Sequence, residues 1–157
     1  MAAQKDGFGM KLGFLLALLI FVSPVYACWQ EAGERYGINP ELLYAIAKTE
    51  TGVNPHKLNY NKNGTYDIGL MQINSGWLPA LAKFGITSSH LWDSCTNINV
   101  GAWILAGNIR QFGMNWNAVG AYNAGCRGAS RDQCERLRAS YAWRVYRNFR
   151  ATKKAAS

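Results

Sequence analysis

The sequence predicts a single domain that is mainly α, and three observations carry that expectation. Ile98, Ala102, Leu105, Ile109 and Phe112 recur at spacings of 4, 3, 4 and 3 residues. That rhythm puts them on one face of a helix and predicts a buried helix over 94–112. Asn39-Pro40-Glu41 is a helix start, with a capping amide, proline at the first helical position and an acid near the positive helix end. No segment offers the repeated alternation of a large sheet. A length of 157 residues with 49% hydrophobic content suits one core and not two. Six Trp exclude intrinsic disorder, the modest Gly and Pro counts exclude a fibrous repeat, and no period of 20–50 residues suggests a solenoid. The net charge of +8, taken alone, points to an anionic partner such as nucleic acid, a membrane surface or an acidic polymer.

In chain order, residues 1–27 read as a secretory signal peptide. Lys5 and Lys11 precede the apolar run Leu12 to Val22, Ser23-Pro24 break it, and Val25 and Ala27 supply small residues before Cys28. Eleven apolar residues are too few to span a bilayer. A retained anchor is one alternative, and a lipoprotein signal acylated on Cys28 is another, although acylation would leave an odd number of cysteines. The mature domain is expected at 28–150. Within it, Trp29–Tyr36 reads as a helix stopped by Gly37, and a second helix runs from Pro40 to about Thr51, ended by Gly52 and Asn54-Pro55. Residues 57–67 are polar with a turn at Asn63-Gly64, predicting a loop or short hairpin. Ser75 is the expected cap of a helix reaching Phe84. After the 94–112 helix come a short helix at 117–123, a longer one at about 131–149, and a disordered basic tail at 151–157.

All four cysteines (Cys28, Cys95, Cys126, Cys134) lie beyond the signal, and an even count in an exported chain reads as two disulfides. Three pairings are open from sequence alone. Cys126–Cys134 would close a short loop, leaving Cys28–Cys95 to pin the N-terminus to the central helix. No Cys-x-x-Cys spacing exists and the two histidines are scattered, so neither a metal site nor a cofactor is expected.

The most informative residue is Glu50. Leu43, Ile46 and Ala47 form an apolar stripe on the 40–51 helix, and Glu50 continues it. A carboxyl on a core face is costly unless paired, placed in a cleft or kept protonated. Desolvation raises its pKa, which is what a general acid near neutral pH requires. Fraying of the helix end, releasing Glu50 to solvent, is the plainer alternative. Asp67 lies 17 residues on in the Asn/Tyr-rich stretch. Two carboxyls could flank a sugar bond, or Asp67 could simply cap its loop. Trp77, Trp92, Trp103, Trp116 and Tyr122 include candidate sugar-stacking rings, with most of them expected in the core.

Glu50-Thr51-Gly52, Gly69-Leu70-Met71-Gln72-Ile73-Asn74 and Ala121-Tyr122-Asn123-Ala124-Gly125 resemble, in order and spacing, the three motifs of the soluble lytic transglycosylase (SLT) family. The resemblance covers about residues 28–150. It implies a lysozyme-like (goose-type/SLT) fold and cleavage of peptidoglycan glycan strands. Tyr66 to Gln72 in a short exported chain is similar to the subgroup attached to type III and type IV secretion, conjugation and pilus systems. The implied site has Glu50 as single catalytic acid/base, Met71 and Gln72 lining the cleft, Tyr122 orienting Glu50, and Asn123 contacting glycan. Thr51 stands where the family usually has Ser. Asp67 is an additional carboxylate that many members lack, and it would make hydrolysis conceivable. The implied location is the periplasm of a Gram-negative bacterium. The partners would be peptidoglycan strands and an apparatus subunit, with a monomer expected and no nucleic acid. A non-catalytic wall-binding scaffold is the rival role.

The charge is not spread evenly. Residues 28–126 carry six basic and six acidic residues, whereas 127–157 carry nine basic and two acidic. The surplus therefore sits in one C-terminal segment. It reads either as a solvated helix face or as an anchor for anionic peptidoglycan stems, acidic lipid or a partner subunit.

Overall fold

The computed structural model describes residues 24–126 and 128–156; most of the expected signal peptide lies outside them. The order is α1 (Pro24–Tyr36), α2 (Pro40–Thr51), β1 (Leu58–Tyr60), β2 (Tyr66–Ile68), β3 (Ile73–Asn74), α3 (Leu78–Leu81), α4 (Ser94–Phe112), α5 (Trp116–Asn123) and α6 (Arg131–Ala156). Short 3-10 turns flank α3 at Ser75–Trp77 and Ala82–Phe84, and another precedes α4 at His90–Trp92.

Local chemistry sets α2. The Asn39 side chain accepts from Glu41 N–H at 2.7 Å, satisfying a donor that the first helical turn cannot. At the other end Gly52 turns left-handed with φ 66°. Gly52 N–H then donates to Lys48 C=O at 3.1 Å and Val53 N–H to Ala47 C=O at 3.3 Å, the paired bonds of a Schellman stop. The inward face of α2 is Leu43, Ala45, Ile46 and Ala47, all fully buried.

Helix α4 is the axis of the core. Ile98, Ala102 and Leu105 are fully buried as the periodicity predicts, while Ile109 and Phe112 are only half-buried because α4 emerges toward solvent there. Against it pack α1, α5 and the end of α2. The polar stretch is indeed a hairpin, β1 and β2 pairing antiparallel around a turn with Gly64 at φ 82°, and β3 completes a three-stranded antiparallel sheet. The disulfides are Cys28–Cys95, joining α1 to the start of α4, and Cys126–Cys134, closing the loop between α5 and α6.

Two expectations need correction. The helical stretch after β3 is capped by Asn74, which accepts from Gly76 N–H at 2.9 Å. The Ser75 hydroxyl is instead used by Tyr66 N–H at 3.1 Å. The expected disordered tail at 151–157 is helical through Ala156. Past residue 149 the side chains bond back along the helix: Arg150 lies over the Tyr146 ring, Lys153 over the Phe149 ring, and Thr152 donates to Asn148 C=O at 3.0 Å. Alanine and lysine favour the helical state there as well.

One polar residue lies wholly inside this core. Asn97, on α4, donates to Ile68 C=O at 2.9 Å and to Leu91 C=O at 2.8 Å, and accepts from Met71 N–H at 2.9 Å. Removing it strands three backbone groups away from water. Asn97→Ala is expected to destabilise the fold by about 2–4 kcal/mol, read by denaturant unfolding; a loss within experimental error would mean that the bonds carry little.

Candidate active site

Glu50 occupies the last turn of α2, half-buried, and its Oε1 accepts from the Tyr141 hydroxyl of α6 at 2.5 Å. Oε2 has no partner among the described residues. Burial raises the Glu50 pKa above its ordinary 4.5; the Tyr141 bond opposes this, the negative charge of Asp67 adds to it, and the Arg144 guanidinium opposes it. Desolvation therefore prevails, in the direction that keeps a proton on the carboxyl. Tyr141 is buried, and desolvation with the neighbouring Glu50 charge pushes its phenol well above the usual range, so it stays a donor. Arg144 lies over the Tyr141 ring, 5.3 Å from its centroid.

The loop from Ile68 to Gln72 packs beside the end of α2, with Ile68 to Met71 buried and Gln72 half-buried. It folds sharply, with Gly69 at φ 74° and Gln72 at φ 52°. A Cβ at Gly69 would overlap the Asn97 amide, so glycine is required by packing as well as by backbone. Thr51, directly after Glu50, donates to Leu70 C=O at 2.9 Å and accepts from Asn54 N–H at 2.9 Å. It supplies the hydroxyl that the family's usual serine would supply.

Asp67 is not on a loop; it sits in the central strand β2. Its carboxylate accepts from Asn74 at 2.7 Å, Asn61 at 2.9 Å and Asn59 at 3.5 Å, all side-chain amides from the sheet and its turn. Cross-strand amides hold it, and not the local backbone bond that a capping role would need.

Three of the other expected roles shift. Met71 is wholly buried, its sulfur against Gly101, so its side chain underlies the loop and does not form an exposed wall. Tyr122 feels the Glu50 charge, but its hydroxyl donates to Met71 C=O at 3.1 Å; Tyr141 is the tyrosine bonded to Glu50. Gln72 turns its amide back onto Gly69 C=O at 2.8 Å and Lys57 C=O at 3.3 Å. Asn123 is exposed at the end of α5. Of the tryptophans singled out, Trp77, Trp92 and Trp116 are each about 40% exposed, so most are not core residues. Among the described residues no group of three or more His, Cys, Asp or Glu comes together, and no helix is long and apolar enough to cross a membrane.

Tyr141 and Asn97 escaped the sequence reading. Tyr141 shares a buried helix face with Val145, and Asn97 precedes the Ile98 stripe. Tyr141 lies on a buried face as Glu50 does, and the signal for Asn97 was its helical spacing with the buried Val100 and Ile104.

A helical domain around one buried helix, with a small antiparallel sheet and a half-buried glutamate closing a helix beside it, defines a lysozyme-like domain. The chain belongs to the SLT family: the family model "Transglycosylase SLT domain" matches residues 27–142. It is 38% identical over 151 residues to the invasion protein IagB of Salmonella typhi, covering 94% of this chain and 92% of that protein. It is also 38% identical over 139 residues to protein IpgF of Shigella flexneri, covering 87% of this chain and 89% of that one. Among solved structures it resembles an inactive mutant of the lytic transglycosylase Slt from Pseudomonas aeruginosa, with TM-score 0.60 and 23% identity. That match covers 78% of this chain and 23% of the other, a likeness of fold.

A raised native pKa has a thermodynamic signature. The native state binds the Glu50 proton more tightly than the unfolded chain does. The stability this contributes is complete below the ordinary value of 4.5 and is lost as pH rises through the raised native value. Glu50→Gln keeps an oxygen for Tyr141 but cannot titrate. Thermal unfolding should find it level with wild type near about pH 4 and more stable near about pH 8; parallel curves for the two proteins would contradict the raised pKa.

Proposed function

We propose that this chain is a peptidoglycan lytic transglycosylase with Glu50 as its single acid/base. The observation that carries the reading is the Glu50 carboxyl itself: half-buried, with burial holding its pKa up and one oxygen fixed by Tyr141. Oε2 would meet the glycosidic oxygen between N-acetylmuramic acid and N-acetylglucosamine and give it the proton as the C–O bond breaks. The resulting carboxylate would then take the proton of the muramoyl C6 hydroxyl, whose oxygen bonds the anomeric carbon of the same sugar. The strand ends in a 1,6-anhydromuramoyl residue and no water is consumed. Catalysis thus needs one group that is an acid in the first step and a base in the second, and a pKa lifted toward neutrality serves both. Gln72, the half-buried end of the loop from Ile68, and the exposed Asn123 are the proposed glycan contacts.

Asp67 supports a second reading. Its charge reaches Glu50, and three amides hold it on the strand beside the site. A fixed carboxylate there would stabilise oxocarbenium-like charge and admit water, giving a muramidase.

The relatives named as invasion proteins support a role in opening the cell wall locally for a secretion, conjugation or pilus apparatus. With residues 1–27 as signal peptide and 28–150 as the catalytic domain, the site of action would be the periplasm of a Gram-negative bacterium. The two disulfides suit that oxidising compartment.

Glu50→Gln should slow release of soluble fragments from purified sacculi by about 10²–10⁴-fold while the fold persists. Unchanged turnover would remove Glu50 from the mechanism. Mass spectrometry separates the two chemistries, anhydro ends marking the lyase and reducing ends the hydrolase. Asp67→Asn is expected to lower the rate by about tenfold or more if Asp67 faces developing positive charge, and to leave it unchanged if the residue only ties the sheet together.

A further inference from the structure

Helix α6 has two working flanks. Tyr141 and Arg144 face Glu50, whereas Glu135, Arg138, Ala142 and Tyr146 recur at helical spacing along a neighbouring side, with Arg138 about 60° and Ala142 about 100° around the axis from Tyr141. Between that second side and α5 lies an open groove of about 790 Å³, with Trp116, Asn117, Trp143 and Tyr146 along its walls. Trp143 is 59% exposed and stacks on Tyr146 with ring centroids 5.5 Å apart; Trp116 meets Tyr146 edge-on at 5.2 Å. Scattered exposed apolar residues are ordinary; here three aromatic rings gather in one groove.

The cations around it are distinctive too. Arg138 lies at the groove and donates to Ala124 C=O at 3.3 Å and Asn117 Oδ1 at 3.4 Å. Arg150 sits 6.0 Å over the Tyr146 ring and Lys153 5.1 Å over Phe149. The acid at the groove, Glu135, is taken up by Arg131 at 3.0 Å. The groove is therefore aromatic, with Arg138 and Asn117 in its lining, its acid Glu135 paired with Arg131, and Arg150 set against its Tyr146 ring.

That combination selects among anionic occupants. A membrane surface is met by a convex apolar face, and these rings line a concavity. A partner helix lays an apolar face into a hydrophobic groove, and here the wall is interrupted by Asn117, Glu135 and Arg138. Flat rings fit the C–H faces of pyranose sugars, amide and guanidinium groups fit hydroxyl and acetamido oxygens, and cations fit carboxylates. We propose that the α5–α6 groove is a second, non-catalytic binding site for a carboxylate-bearing amino-sugar glycan. It rests on the reading of peptidoglycan as substrate and would keep the domain on the strand that Glu50 cuts.

The test uses ¹⁵N-labelled Glu50→Gln protein, which leaves the probe uncut, with the indole N–H signals of Trp116 and Trp143 assigned by single Trp→Phe substitutions. Muropeptides carrying their stem peptides should shift both signals, more strongly than neutral chitotetraose and less as salt rises. Trp143→Ala should weaken muropeptide binding about tenfold and Arg150→Gln should flatten its salt dependence. Because the shifts are read on protein with the groove intact, misfolding of Trp143→Ala would not spoil the result. Silence of both signals at millimolar muropeptide overturns the proposal. So does a response to phosphatidylglycerol vesicles or to a glutamate-rich helical peptide with none to muropeptide. Sacculus clearing by wild-type protein is scored separately: clearing without the shifts removes the groove alone, and shifts without clearing remove the catalytic reading alone.

Discussion

Three hydrogen bonds to one buried amide hold together the parts on which the candidate site depends. Asn97 rises from α4 into the fold of the chain between β2 and β3, bonding Ile68 C=O and Met71 N–H together with Leu91 C=O. A tight turn this deep has backbone groups with no regular partner, and each must be satisfied individually. Here they are: Gly69 N–H goes to Lys57 C=O, Leu70 C=O to Thr51, Met71 C=O to Tyr122 and Gly69 C=O to Gln72. Three of the anchors, Thr51, Asn97 and Tyr122, lie on three different helices. The loop thus fixes the end of α2, and with it Glu50, relative to α4 and α5. Gly101 completes the arrangement, since a Cβ there would overlap Met71 and crowd the Tyr122 hydroxyl.

Glu50 lies within this rigid frame as a deliberate compromise. Full burial would make its charged form inaccessible, and full exposure would return it to an ordinary carboxyl. Tyr141 moderates the effect of burial by bonding one oxygen, and a phenol whose own pKa is raised remains a dependable donor. The charged carboxyl costs the native state stability at neutral pH, so Glu50 adds nothing to folding there.

Much of this was legible in sequence because it rests on local rules. The Asn39 cap, the Gly52 stop, the 94–112 stripe and the Asn63-Gly64 turn each depend on a few neighbouring residues, and each appears where those residues predict it. Glu50 was legible because an acid broke an apolar stripe. The misplacements share a different cause. Tyr141 lies 91 residues from Glu50 in sequence, so no local pattern links them, and Tyr122 was assigned a role that only packing decides. Met71 looked like a wall residue in its motif, yet the space over Gly101 takes its side chain inward. Asn74 displaced Ser75 as a cap because the neighbouring strand claimed the serine hydroxyl. The extension of α6 to Ala156 rests on contacts of Arg150, Thr152 and Lys153 with residues one turn back.

Helix α6 shows how one element can serve two surfaces. Its inward side brings Tyr141 to Glu50 and Asn148 to Thr49 at 2.8 Å, while another flank presents Trp143 and Tyr146 to the groove shared with α5. Cys126–Cys134 ties the start of α6 to the end of α5, and the close approach of Gly120 to Arg138 seats the two helices against each other. Neither surface can then move without the other. The basic surplus, which first suggested a loosely charged tail, belongs to this helix, whose position is set by aromatic and glycine packing. Arg138 lines the groove and Arg150 lies against its Tyr146 ring, while Arg144 acts on the Glu50 side, so this one helix divides its charge between the two surfaces.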